Sequence, residues 1–284
     1  MNSSMIFEGK VLMARRNIFD ILEEEVDLKN EIIKIDNLMR ENSINSYALE
    51  EIFDEYCLES WKNRGRYIGA EDIRKKLGIT IFDVRRGLRG DKILFYLEYV
   101  GNLIWLCNRW LENQDKDIDK EYVYLQENVL SLIGNLNYEL KVFEEYEKVL
   151  LVEKNAEATA VAEIADMEIS YEIIEYNHYM LKGDIIKKKK ILLALADKFE
   201  PLRNDLKKID KELESNIGYL LNKMNIRHNN LEGKNAIKYV ISMDDKELEE
   251  WYDETYQMIL LAFLECENIE RNIKVTNLKK VLNL

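Results

Sequence analysis

Proline occurs once in this 284-residue chain, glycine eleven times and histidine twice. Pro and Gly are the residues that cost a helix most, so few positions oppose a helical backbone and helix is expected nearly throughout. No stretch approaches the roughly 20 uncharged apolar residues of a membrane-spanning helix. Residues 1–8 lack the basic segment and apolar run of a secretion signal. A soluble, cytoplasmic protein with no membrane role is therefore expected. The three cysteines, Cys57, Cys107 and Cys266, show no C-x-x-C spacing and sit inside apolar helical patterns. They are expected as buried thiols in a reducing compartment, which sets aside Cys–His catalysis. Also missing are G-x-x-x-x-G-K-[ST] and G-x-G-x-x-G, the loops that cradle phosphates. His178 and His228 lie far apart in the chain, so no metal site and no cofactor are expected.

What is abundant is the material of amphipathic helices: 47% hydrophobic residues beside 33% charged ones. That balance excludes a disordered polymer and gives the fold class as all-α, a multi-helix bundle with long amphipathic helices. Residues 15–42 repeat Ile18, Leu22, Val26, Ile32, Ile35, Leu38 and Met39 on one side of such a helix. Ser46 can cap a second helix through Trp61, and residues 91–112 form a strongly apolar third. Asn113 to Asp119 is polar and rich in turn formers, which suggests a division into 1–115 and 116–284 unless the chain is one domain. From 120 to 153 a stripe of Tyr122, Leu125, Val129, Ile133, Leu136, Leu140 and Phe143 steps by three and four. Further helices are expected from Ser170 to Leu181, from Ile185 to Phe199 with Asp184 as cap, from 201 to 224, and from a cap at Ser242 with Asp245 onward. No strand is expected, and the two long stripes favour a homodimer.

One segment breaks the acidic character of the chain. Against a formal charge of −13, residues 62–92 hold ten cations and four acids. Ala70 to Thr80 looks like the first helix and turn of a helix-turn-helix, followed by a short helix from Ile81 to Arg89. Arg74, Lys75, Lys76, Arg85, Arg86 and Arg89 would then lie against phosphates; the alternative is that they pair with acidic helices of this chain or of a second copy.

A second concentration of chemistry is Asn225 to Gly233. An Arg can hold a phosphate by two parallel hydrogen bonds, and a His near neutral pKa can move protons when an RNA 2′-hydroxyl attacks the strand. Asn229 and Asn230 can orient the Arg or touch substrate. Equally, Asn229, Asn230 and Gly233 are turn formers, and Arg227 can satisfy helix carbonyls or a Glu.

Set between two helices late in the chain, Arg227-His228-Asn229-Asn230-Leu231-Glu232-Gly233 resembles the signature of HEPN domains: an Arg, a polar neighbour, and a catalytic His a few positions on. The resemblance covers about residues 200–284. It implies a helical domain of bacterial toxin–antitoxin, abortive-infection and antiviral defence systems, often dimeric and acting as a metal-independent endoribonuclease. Arg227 would be the family's arginine and His228 its polar neighbour, with Asn229 beside them. Where the family has its catalytic His this chain has Glu232, Gly233 and Lys234, so either His228 substitutes from elsewhere on the turn or the site only binds RNA. The competing expectation is a non-enzymatic helical scaffold or regulatory protein that binds a partner protein or DNA.

Overall fold

Helix dominates, as the scarcity of Pro and Gly requires. The computed structural model describes residues 27–41, 44, 47–112 and 119–282. The chain forms two compact units, Met1–Leu151 and Val152–Leu284. They divide between Leu151 and Val152; residues 113–118 of the expected linker lie outside the described residues.

In the first unit, α1 (Leu28–Leu38) starts at Asp27, whose carboxylate accepts from the Asn30 N–H at 3.2 Å. The helix expected over 15–42 ends at Leu38 instead, and its residues 15–26 lie outside the described residues. Next come α2 (Leu49–Ile52), a π-type turn Phe53–Cys57, α3 (Ala70–Leu77), α4 (Ile81–Arg86), α5 (Asp91–Glu112) and α6 (Lys120–Asn135). The helix that Ser46 was expected to cap begins after Ala48, whose N–H donates to the Glu51 carboxylate at 2.9 Å. Ile35, Leu49, Phe53, Leu97, Val100 and Leu125 are fully buried in this unit, each contributing roughly 1.5–3 kcal/mol by leaving water.

The helix expected to run on to 153 stops at Asn135. Asn137 takes a left-handed φ of 64°, and the chain turns into a hairpin of β1 (Tyr138–Phe143) and β2 (Lys148–Glu153). Leu136, Leu140 and Phe143 continue the helical step by coincidence, while β-branched Val142, Val149 and Val152 favour strand. Helix α5 supplies the seat. A Cβ at Gly101 would lie 2.9 Å from Leu140 Cδ1, so the glycine lets the Leu140 side chain lie directly on the helix, and a larger residue would make it shift. Asn102 next to it behaves as a strand edge: its Nδ2 donates to Val149 O at 2.9 Å, and its Oδ1 accepts from the Val149 N–H at 3.1 Å.

The second unit is wholly helical among the described residues after β2: α7 (Ala156–Ile164), α8 (Met167–Tyr176), α9 (Ile185–Phe199), α10 (Arg203–Ile209), α11 (Lys211–Lys223), α12 (Lys238–Ile241) and α13 (Asp245–Val281). Asp184 caps α9 as expected, accepting from the Lys187 N–H at 2.9 Å. The helix expected over 201–224 is broken at Asp210, which caps α11. Asp244, not Ser242, caps α13, paired with Glu247 rather than Asp245, because Glu has the reach to return to the cap N–H. Leu192, Leu195, Phe199, Ile217, Tyr252 and Ile259 share one core.

Candidate nucleic-acid interface

The helix pair α3–α4 is built around a turn of three residues. Gly78 ends α3 in a left-handed conformation, φ 67°, which glycine adopts without strain. Ile79 buries its side chain completely. Thr80 then caps α4: its N–H and hydroxyl both donate to the Asp83 carboxylate, at 3.0 and 2.6 Å. The hydroxyl bond holds the Asp83 carboxyl below its usual range. The second helix ends at Arg86 and not Arg89, since Gly87 turns to φ 96°. At the other end of the pair, the Ala70 N–H donates to Asp54 at 2.7 Å.

Arg74, expected among the phosphate contacts, is not on the surface. It is 1% exposed. Its Nε donates to Glu50 at 2.6 Å, one Nη to Asp36 at 2.5 Å, and the other to Ile79 O at 3.4 Å. Its guanidinium carbon also lies 5.8 and 5.6 Å from the ring centroids of Tyr96 and Tyr99, within cation–π range. Burial opposes its charge, but Glu50 and the two tyrosines outweigh that and push the pKa up. Arg74 therefore fastens α3 to α1, α2 and α5.

The other five expected cations, Lys75, Lys76, Arg85, Arg86 and Arg89, are exposed. Lys75 pairs with Glu71 of its own helix at 3.6 Å. Among the described residues, Lys76, Arg85, Arg86 and Arg89 form no ion pair. Phe82, on the first turn of α4, is 73% exposed beside them. Sequence reasoning passed over Phe82; an aromatic three residues before an Arg-Arg pair was the available signal.

In the second unit, residues 225–233 form a tightly stitched turn. Asn225 adopts φ 56°. The Asn225 N–H donates to Asn230 Oδ1 at 2.8 Å, and the Asn230 N–H donates to Asn225 Oδ1 at 3.2 Å. Asn230 Nδ2 adds a bond to Asn235 O at 3.0 Å. Asn229 Oδ1 accepts from the Leu231 and Glu232 N–H groups. Arg227 donates to Glu200 at 2.6 Å and to Ala196 O at 3.3 Å, reaching the end of α9 rather than a Glu of the final helix. Its hydrogen bond, and one from Arg203, hold the Glu200 carboxyl below its usual range. His228 and Asn229 are exposed. Asn225, Asn229 and Asn230 thus stitch the turn and its flank together, while Arg227 ties it to the end of α9. Replacing Arg227 with alanine is expected to lower stability by no more than about 1 kcal/mol, because half-exposed pairs are worth little. Its clearer signature is an upward move of the Glu200 carboxyl titration, read by NMR.

Among the described residues no three or more His, Cys, Asp or Glu side chains gather to hold a metal ion, and no described helix is long and apolar enough to cross a membrane. No protein-family model, no curated protein and no solved structure matches this chain.

Proposed function

We propose that this protein is a non-enzymatic, cytoplasmic regulator that binds double-stranded DNA through the α3–α4 helix pair. The observation that carries this is the contrast between Arg74, locked inside, and four exposed cations, Lys76 on α3, Arg85 and Arg86 on α4 and Arg89 just beyond it, which form no ion pair among the described residues. An exposed guanidinium that forms no ion pair among the described residues is available to a phosphate, which accepts two parallel hydrogen bonds from it. Exposed Phe82 supplies an apolar contact of the kind a thymine methyl offers in the major groove. A surface helix suits the wide major groove of B-DNA, not the deep, narrow one of A-form RNA. The acidic remainder of the chain disfavours loose attachment, so binding rests on this local patch. Arg227 already serves Glu200, and no cleavage chemistry is assigned to the 225–233 turn.

Fluorescence anisotropy with a labelled duplex tests this. Replacing Arg85, Arg86 and Arg89 together with alanine changes only exposed positions and is expected to weaken binding by about 10³-fold, roughly 1.5 kcal/mol for each charge-assisted bond lost. Equal affinity in the triple variant, or cleavage of RNA abolished by Arg227→Ala, would give the function to another surface.

A further inference from the structure

Helix α13 is 37 residues long. Its first half is built into the core through Leu248, Tyr252, Tyr256, Ile259 and Leu260. Beyond Glu270 every described residue to Leu282 is exposed, so about three turns project into solvent. The projecting turns carry Ile273, Leu278 and Val281, of which Val281 is 77% exposed.

At the base of this projection is an open cavity of about 270 Å³, with apolar walls from Ile164, Leu202, Phe263 and Cys266 and an acidic edge of Glu267 and Glu270. Asp166 and Lys198, also on the rim, pair with each other at 2.7 Å. Phe263, Cys266, Glu267 and Glu270 lie on one face of α13 by their three- and four-residue steps, and that stripe continues as Ile273, Lys274, Leu278 and Val281. Socket and apolar plug therefore share a single helix face. The chain cannot fill its own socket: Val281 is 18 residues beyond Phe263, about 27 Å along a continuous helix.

We propose that a second copy of this chain docks antiparallel along this face, each copy placing Leu278 and Val281 into the other's cavity. A two-fold contact of this kind needs one self-complementary patch, and charge sets its register. Aligning Lys274 with the partner copy's Glu270 brings Val281 opposite Phe263, Leu278 opposite Cys266 and Asn277 opposite Glu267. Acidic residues 265–270 meet the basic end of the helix at Lys274, Lys279 and Lys280; a parallel arrangement would set like charges together.

Sedimentation velocity of the full chain is expected to give a dimer, and Val281→Asp, a change at an exposed position, a monomer. Each ion pair occurs twice across the axis, so Glu270→Lys and Lys274→Glu should each weaken the dimer roughly tenfold or more, while the two together restore it. Leu278→Cys should form an intermolecular disulfide with native Cys266 under copper–phenanthroline oxidation, lost in Cys266→Ser. A monomeric wild-type protein, a dimer indifferent to Val281→Asp, or a monomer whose native mass carries a small molecule displaced by Phe263→Trp would overturn the proposal.

Discussion

Arg74→Met lowers the unfolding free energy by about 3–5 kcal/mol, the range for removing one partner of a buried ion pair. Methionine keeps most of the apolar stem, so the loss is electrostatic rather than a cavity. Asp36 is 2% exposed and accepts from Arg74 and Arg40; with Arg74 gone, it keeps Arg40 and the Tyr96 hydroxyl at 3.3 Å. Glu50 loses its bond to Nε and keeps the Tyr99 hydroxyl at 2.7 Å. Arg74→Lys is expected to recover only part of the stability, because a single ammonium cannot bridge two carboxylates as the planar fork does. Urea unfolding of the three proteins is the measurement. A loss below about 1 kcal/mol in Arg74→Met would mean that the cluster is solvated and does not hold α3.

The second large effect lies in the other unit. Lys188, one of four consecutive lysines on α9, is 6% exposed. Its ammonium meets Glu249 and Asp253, each at 2.7 Å, and lies 5.1 Å from the Tyr176 ring centroid. The Tyr176 hydroxyl also donates to Asp253 at 2.8 Å, and the Gly183 N–H to Glu249 at 2.8 Å. Burial pushes the Glu249 carboxyl up, but the bonds from Lys188 and Gly183 outweigh it and hold the group below its usual range. A carboxyl whose folded pKa is lowered contributes stability present above its unfolded value, roughly 4.3, and lost as pH falls through the folded value. Lys188→Met should therefore cost on the order of 3 kcal/mol at neutral pH. The gap from the wild type should narrow on acidification towards pH 3, where protonated Glu249 no longer needs the cation. Thermal unfolding across pH 3–7 reads both; a gap that stays constant with pH would remove Glu249 from the account.

Much of the architecture is legible without coordinates, for physical reasons that differ by element. Asp184, Gly78 and Thr80 act through bonds to backbone groups only a few residues away, so a cap or a turn is written locally. The strongly apolar 91–112 stretch is expected as one helix and forms one. The β-hairpin was hidden because Leu136, Leu140 and Phe143 satisfy helical spacing, while what selects strand is distant: Gly101 and Asn102 on α5. Arg74 illustrates the same limit. Its sequence neighbours Lys75 and Lys76 make it look like part of a surface run, yet a one-residue step turns it inward to Asp36 and Glu50, which lie 38 and 24 residues away in sequence. The turn at Asn225 to Gly233 shows a motif-like string satisfied by backbone chemistry, the pair of asparagines stitching left-handed Asn225 in place.

The dependence of DNA affinity on salt tests the proposed interface most directly. If Lys76, Arg85, Arg86 and Arg89 each neutralise a phosphate, log K should fall against log salt with a slope of about −3.6, and the triple alanine variant should flatten it by about three units. Binding with no salt dependence, or a slope unchanged by the three substitutions, would contradict the assignment of DNA to the α3–α4 pair.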